Sequence, residues 1–470
     1  MQLRNYQQQL INDARESLRI HQSVLMVAPT GAGKTALTVH MMANAAQRGI
    51  SSMFCVHRDT LLAQTSRALW EQKLEHGIIA AGRNMNRSPV QVASVQTLVR
   101  RLGRVQAPGL IVIDEAHRAA AETYRKIIAA YPQARIVGLT ATPQRTDGKG
   151  LRDVFQDMVI GPNVSELIKA GYLCPYVIYG AKQTPDISGL KTRMGDYVAE
   201  DVEALMDRPS IIGDAVEHYL SHAKGKRCVI MCATIKHAMH VCEAYKTNGI
   251  PAEHMDGSTP SGERQAILNR MRTGETKVLT NVELLIEGID VPTIEAVQWL
   301  RPTASLIIWM QGNGRGFRTA NGKDHLIILD HVQNYLRHGL PDDEREWSLD
   351  GDPRRGKRKS EKPEVSIKQC DNCYAVFKPG PTHCPSCGES LAGEGRKIDV
   401  IEGSLEKIDI ETLRREKKRE QGSARTLKDL VELGKRRQMK KPAEWAAITY
   451  SARMGRKPSP DIFNQARAYL

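Results

Sequence analysis

The segment Ala28-Pro-Thr-Gly-Ala-Gly-Lys-Thr35 follows the apolar run Val24–Val27 and precedes an amphipathic stretch. It therefore reads as a strand, a glycine-rich loop and a helix amino terminus. Thr30, Gly31, Ala32 and Gly33 would turn backbone N–H groups inward around phosphate oxygens, where the helix dipole adds positive potential. Lys34 would place its ammonium on the β- and γ-phosphates of ATP, and the Thr35 hydroxyl would ligate Mg²⁺. A second element, Leu110-Ile-Val-Ile-Asp-Glu-Ala-His117, ends an apolar strand in two carboxylates. Asp114 suits the Mg²⁺ shell, and Glu115 suits a base that orients and deprotonates the attacking water. Alone, such an ending is often a solvated acidic turn. Paired with an upstream phosphate loop, it reads as the second half of one site.

A different chemistry sits near the carboxyl end. Cys370-Asp-Asn-Cys373 and Cys384-Pro-Ser-Cys387 are two knuckles whose spacing can place four thiolates around one Zn²⁺. The default role of such a site is structural, since it holds together a segment too small to fold alone. Contact with DNA is the alternative. His383 is expected to be exposed and not a ligand, and Cys55, Cys174, Cys228, Cys232 and Cys242 to be core residues.

Positioning these groups requires a scaffold. Short apolar runs at Val24–Val27, Met53–Val56, Val90–Ala93, Leu110–Asp114 and Ile136–Leu139 alternate with amphipathic stretches such as Thr35–Gln47 and Thr60–Lys73. That alternation predicts an α/β fold with a parallel sheet covered on both faces. The pattern restarts near residue 172, with strands at Tyr176–Tyr179, Cys228–Cys232, Lys277–Thr280, Ala296–Leu300 and Leu326–Leu329, and helices at Ile235–Lys246 and Glu263–Met271. Two α/β domains, 1–170 and 171–340, are expected; if the second supplies Arg315 and Arg318 and the first the phosphate loop, ATP sits in a cleft between them. Residues 341–366 read as a linker poor in aliphatic side chains, 367–395 as the zinc module, and 404–470 as a basic helical region. Thr426–Asp429 predicts a helix start of the capping-box kind. Leu427, Leu430, Val431 and Gly434 form one packing stripe, and Trp445, Ile448 and Ala452 another.

The 470 residues carry 67 Lys+Arg against 53 Asp+Glu, a formal charge of +14. That sign favours a polyanionic partner. With aromatics at 5%, a platform that stacks many bases is not the expected binding device. No apolar signal segment and no run long enough to cross a bilayer is visible, so a cytoplasmic protein with no membrane partner is expected. Residues 421–470 hold eleven Lys/Arg and four Asp/Glu, a tail that could track phosphates or simply be solvated.

Asp114-Glu-Ala-His117 after Gly33-Lys-Thr35 resembles the superfamily-2 DEAH-box helicases and translocases, and the resemblance runs through residues 1–340. It implies two RecA-like domains. It places Arg4 and Gln7 at adenine and His57, Arg58, Ser94, Gln96 and Thr97 on the nucleic-acid backbone. Thr140-Ala-Thr142, with His117, resembles the motif that couples hydrolysis to domain movement. Asp256-Gly-Ser-Thr259 with Arg264 resembles a further strand-binding motif, implying Ser258 and Thr259. Thr280 and Asn281, leading into Glu287-Gly-Ile-Asp-Val-Pro292, are implied nucleic-acid contacts, and Gly288 and Asp290 nucleotide contacts. Gln311-Gly-Asn-Gly-Arg-Gly-Phe-Arg318 resembles the motif that supplies Gln311, Arg315 and Arg318 to the transferring phosphoryl group. Arg315 and Arg318 are three apart, so a helix would set both on one side, and their fixed charge suits that role. Glu283 and Ile286 stand where relatives tend to carry a small residue and a Thr. Gly312 and Asn313 replace bulkier or basic residues. The nearest group is the bacterial and phage RadD-like helicases, which share Gly195-Asp-Tyr197 and the trailing cysteine pairs.

The resulting expectation is an ATP-driven motor on nucleic acid, DNA before RNA, with ATP, Mg²⁺ and Zn²⁺ as ligands and repair or replication proteins as further partners. Two other readings share these motifs: an ATP-gated clamp or remodeller that does not separate strands, and a translocase on double strands.

Overall fold

The computed structural model describes residues 2–57, 59–145, 149–181, 184–282, 293–351, 367–370, 372–391, 419–437, 441–454 and 458–469. They fall into two compact units, Met1–Ala392 and Gly393–Leu470.

The first unit opens with a parallel sheet of strands β1 Ser23–Val27, β2 Ser52–Val56, β3 Gly77–Ile79, β4 Val90–Ser94, β5 Leu110–Ile113, β6 Arg135–Thr140 and β7 Asp157–Ile160. Their order is β3-β4-β2-β5-β6-β1-β7. The period-2 alternation of a strand shows in where side chains pack. Val24 and Met26 of β1 join the core beneath helices Asn5–Ile20 and Lys34–Gln47. Leu25 and Val27 join the opposite core with Tyr124 and Ile127 of helix Glu122–Ala130. Both faces are covered, as the uninterrupted apolar runs anticipated. The sequence pattern missed β3 and β7, which are edge strands of only three and four residues.

The second sheet contains β8 Tyr176–Gly180, β11 Cys228–Met231, β12 Ala252–Met255, β13 Val278–Asn281, β14 Ala296–Trp299 and β15 Leu326–Asp330. Between β8 and β11 lies a hairpin, β9 Thr192–Arg193 and β10 Asp196–Tyr197. The sheet ends in β16 Lys368–Gln369 and β17 Ala375–Phe377, with order β12-β13-β11-β14-β15-β8-β17-β16. Strand β17 pairs antiparallel with β8, Val376 opposite Ile178, so the cysteine segment extends this sheet and protects its edge. Tyr179 OH meets Ser386 Oγ at 2.9 Å, which fixes the second knuckle to the same strand.

Residues 341–351, expected to begin a linker, instead form a strap. Asp342 receives the Tyr176 hydroxyl and Lys378 on the second domain. Leu349 is 2% exposed and packs in the first domain's core with Leu151 and Phe155. Its carbonyl accepts Leu151 N at 2.7 Å and Arg152 N at 3.0 Å, and the Arg152 guanidinium holds Asp350 through two nitrogens at 3.0 Å. Composition hid this because two apolar side chains, Trp347 and Leu349, carry the docking. Leu349→Ala should lower the unfolding free energy by about 2–4 kcal/mol. Denaturant titration would check it, and an unchanged midpoint would mean the strap is not docked in solution. The rest of the expected linker, 352–366, lies outside the described residues.

The second unit contains helices Leu427–Arg436, Pro442–Arg453 and Pro460–Arg467 packed on one apolar core. The expected cap is present: Thr426 Oγ1 accepts Asp429 N at 3.1 Å and Asp429 Oδ2 accepts Thr426 N at 2.9 Å. The first stripe, Leu427, Leu430, Val431 and Gly434, is buried. The second is met only in part, by Trp445, which packs against that core, whereas Ala452 is exposed. Ala443, Ala446, Ala447 and Ser451 face the core, while Ile448 is 53% exposed. A glycine at 434 brings Pro442 against the first helix, and alanines then fit the close approach where larger side chains would not.

Candidate functional site: an ATP cleft and a four-cysteine cluster

Strand β1 delivers the phosphate loop, and Gly31 and Gly33 take φ of +91° and +78°, where a side chain would be strained. A Cβ on Gly33 would lie 2.5 Å from Gln7 Nε2. Gln7 Nε2 and Tyr6 OH both donate to Ala32 O, at 3.0 and 2.8 Å, tying the first helix to the loop. The Arg4 guanidinium lies 4.4 Å over the Tyr172 ring, and Tyr6 and Tyr172 are 5.3 Å apart. Arg4 lines the cleft and Gln7 is buried against the loop; Tyr172 was missed. It lies between the domains, in no motif, and carries no local signal beyond being aromatic.

Arg4, Thr30, Lys34, Thr35, Asp114, Glu115, Arg315 and Arg318 line one cleft of about 410 Å³, together with Tyr172. Strand β5 ends just before Asp114, and Glu115 takes φ +47°, a left-handed turn that swings its carboxylate into the cleft. Burial, followed by the neighbouring Glu115, pushes Asp114 up to about 6. Burial would also raise Glu115, but Lys34, His117 and Arg315 together hold it below its usual value. Burial lowers Lys34 against the pull of Glu115 and Asp114. The two acids are therefore driven apart, with Glu115 the stronger acid of the pair. Thr35 and Asp114 offer hard oxygen donors in this cleft, which suit Mg²⁺.

The second domain completes the site. Helix Leu306–Gly316 ends one residue before the αR cap Phe317, so Arg318 falls just past the helix yet still faces the cleft with Arg315. Lys323 Nζ donates to Gly316 O and, at 2.9 Å, to Arg318 O, satisfying carbonyls at that helix end. Gln311, 2% exposed, donates from Nε2 to Glu115 Oε2 at 3.0 Å, across the two domains. Small residues in this motif now have a reason. A Cβ on Gly314 would lie 2.4 Å from Thr30 Cβ, and one on Gly312 would lie 2.6 Å from Trp299. Asn313 Oδ1 accepts Trp299 Nε1 at 3.0 Å. Trp299 occupies the volume that a larger side chain at 312 would need.

Behind Glu115, His117 Nδ1 lies 3.4 Å from Glu115 Oε2 and 3.5 Å from Thr140 Oγ1. Thr140 Oγ1 donates to Thr142 O at 2.9 Å. Burial drops His117 to about 4, so it is neutral at pH 7 and can shift its hydrogen bonds without carrying charge. The chain Glu115–His117–Thr140–Thr142 thus links the carboxylate to the loop after β6.

The expected nucleic-acid residues divide. Gln96 accepts Ser94 Oγ at 3.0 Å and donates to His57 O at 3.2 Å, which joins the carboxyl ends of β2 and β4 with Thr97 alongside. Ser258 and Thr259 form a tight turn on Asp256 Oδ1 after β12, and Arg264 holds that turn through Asp256 O and Thr259 O. Thr280 and Asn281 correct the sequence reading. Both are 0% exposed: Thr280 Oγ1 meets His254 Nδ1 at 3.2 Å, and Asn281 Nδ2 donates to Ile230 O at 2.9 Å. In this structure both side chains bond within the sheet. Arg58, Gly288 and Asp290, with Glu283 and Ile286, lie outside the described residues.

Among the described residues, Cys370, Cys373, Cys384 and Cys387 are the group whose donor atoms gather as a metal site would, all within 4.8 Å of one another. Cys370 Sγ–Cys387 Sγ is 3.7 Å and Cys373 Sγ–Cys384 Sγ 3.6 Å. A tetrahedron with Zn–S near 2.3 Å has edges of about 3.8 Å. His383 is exposed and outside the cluster, and Cys55, Cys174, Cys228, Cys232 and Cys242 are buried core residues.

Comparison with known proteins agrees with this geometry. Residues 1–145 match the family model described as "Type III restriction enzyme, res subunit", and residues 212–320 match "Helicase conserved C-terminal domain". A 51.5 kDa protein of a Lactococcus phage (isolate 7-9) is 32% identical over 393 residues, spanning 83% of each chain. The chain belongs to the superfamily-2 helicases. Another relative of this helicase is the DNA 3'-5' translocase XPB2 of Sulfurisphaera tokodaii, 23% identical over 62% of this chain and 73% of that one. In fold, the helicase resembles the ATP-dependent Type ISP restriction-modification enzyme LlaBIII bound to DNA, with TM-score 0.53 at 18% identity over 71% of this chain and 28% of that one. Its two domains are thus RecA-like, and its activity is that of an ATP-dependent nucleic-acid helicase or translocase. No helix among the described residues is long and apolar enough to cross a membrane.

Proposed function

We propose that this superfamily-2 helicase is a cytoplasmic DNA motor of the RadD-like group with a DEAH-type box. The observation that carries the reading is the Gln311–Glu115 hydrogen bond. A hydrolytic carboxylate on one domain, held by a glutamine on the other, makes bond cleavage depend on closure of the cleft. Arg4 and Tyr172 would hold the base of ATP, with Gln7 bracing the loop. Lys34 and the loop N–H groups would hold the phosphates, and Glu115 would take a proton from water. Arg315 and Arg318 would neutralise charge as it develops on the departing phosphoryl oxygens. Thr35 and Asp114 would hold Mg²⁺, which when bound draws charge from the phosphate oxygens. His57, Ser94, Gln96 and Thr97 lie at the carboxyl ends of parallel strands, the customary ligand end of such sheets, and would meet the strand backbone. The four cysteines would hold one Zn²⁺ that stiffens the edge of the second sheet, and repair or replication proteins are the partners that fit such a motor.

ATP turnover and strand displacement should be measured on single-stranded, duplex and forked DNA and on the matching RNAs. Single-stranded DNA is expected to raise ATP turnover about tenfold or more, and a forked DNA to be opened only with ATP. Turnover indifferent to every nucleic acid would defeat the motor reading. Stimulated turnover without displacement would favour the clamp or the double-strand translocase.

A further inference from the structure

Residues 76–113 contain five arginines and no aspartate or glutamate, in a chain that is 26% charged. The arginines fall on two segments that run side by side. One, 80–89, descends from the carboxyl end of β3 to the start of β4; the other, 95–109, descends from the carboxyl end of β4 to the start of β5. Arg101 Nη1 donates to Arg83 O at 3.3 Å and joins the two near their upper ends. At the lower end Arg87 and Arg104 border a cavity of about 270 Å³, shared with Ser52, Asn86, Ser88 and Gln91. Ser52 and Gln91 are buried, and Ser52 Oγ and Gln91 Oε1 have no hydrogen-bond partner among the described residues. Arg83, Arg87, Arg100 and Arg104 are exposed. Ion pairs of this domain among the described residues include Arg19–Glu16, His117–Glu115, Arg125–Asp153, Lys126–Glu122 and Arg152–Asp350, all of them outside residues 76–113.

We infer that this arginine track is a second binding surface for the phosphodiester backbone of nucleic acid. Its upper end starts beside Ser94 and Gln96, and it leads down the side of the first domain to the Arg87–Arg104 cavity. The inference rests on the reading that nucleic acid crosses the carboxyl ends of β2 and β4. Four exposed guanidiniums are held on two short segments that carry no carboxylate of their own, with the exposed Glu75 adjoining through its backbone carbonyl, 3.4 Å from Ser88 Oγ, and guanidinium is the side chain best shaped for phosphate. A five-residue strand is about 16 Å long, so the track reaches phosphates well beyond those at the strand ends. A membrane surface fits less well. Within the segment Met85, at 36% exposure, is the one large apolar side chain counted as exposed.

The test compares the full-length protein with Arg87→Gln/Arg104→Gln, Arg83→Gln/Arg100→Gln and the matching Arg→Lys variants. Binding to a ten-nucleotide strand, a blunt duplex and a fork is measured across a potassium chloride series, alongside strand-stimulated ATP turnover. Each glutamine pair should weaken fork or duplex binding by about tenfold and flatten the slope of log K against log salt by about one to two, with lysine restoring the slope. Turnover with the short strand should stay unchanged. Whichever of duplex and fork loses more identifies the arm that lies on the track. Parent-like affinity and slope for both would overturn the track while leaving the motor standing. Loss confined to the ten-nucleotide strand would overturn it too, and a parent protein that binds no nucleic acid would sink both readings.

Discussion

ATP turnover by Lys34→Ala is expected to fall at least about a hundredfold, and by Glu115→Gln as far or further, for different reasons. Lys34 Nζ now rests on Ala28 O and Pro29 O at 3.3 and 3.5 Å, inside the loop. Its removal takes a cation from the ground state and the transition state alike, so nucleotide affinity and turnover should both drop. Glu115→Gln keeps the shape and can still meet Gln311 and His117, but it cannot accept a proton. It should therefore bind nucleotide as the parent does while failing to hydrolyse it. Steady-state turnover with single-stranded DNA, paired with equilibrium binding of a fluorescent nucleotide, separates the two outcomes. Parent-like hydrolysis by both variants would mean that the cleft is not the catalytic site.

The second large effect concerns the cysteines. Purified protein is expected to contain about one zinc per chain by elemental analysis, and Cys384→Ser/Cys387→Ser to contain almost none. The segment from Lys368 to Leu391 contributes only Ala375, Phe377 and the two buried cysteines Cys370 and Cys384 to a small cluster that packs against Val177 and Tyr179. Such a core cannot offset the entropy of ordering the knuckles without a metal. Because β17 continues the second sheet, metal loss should also expose the β8 edge, read as faster amide exchange at Tyr176–Gly180. Native protein without metal would falsify the zinc assignment. A zinc-free double variant with unchanged exchange at β8 would show that the edge pairing does not depend on the metal.

Local chemistry determined much of this protein from the sequence alone. A glycine-rich loop between an apolar strand and a helix, and two carboxylates closing another apolar strand, need particular residue types at fixed offsets. Lys34, Thr35, Asp114 and Glu115 were legible for that reason, as were the four cysteines and the Thr426 cap. The strands with long aliphatic runs were legible because burial on both faces leaves no polar alternation. Other features depended on partners far away in the chain. Tyr172 gained a role only when Arg4 came to lie over its ring. Gly312 and Gly314 made sense only against Trp299 and Thr30, which lie on other elements. Thr280 and Asn281 looked like surface contacts in the sequence, yet β13 is an inner strand between β11 and β12, and both side chains are 0% exposed. The strap from 341 to 351 looked like a linker because two apolar side chains are too few to show a pattern, although they suffice once Leu151 and Phe155 form their pocket. The sequence alone determined which groups could perform the chemistry, since that depends on residue type and short spacing. Only the tertiary structure decided which of them meet, because the contact between Gln311 and Glu115 joins residues 196 apart in the chain.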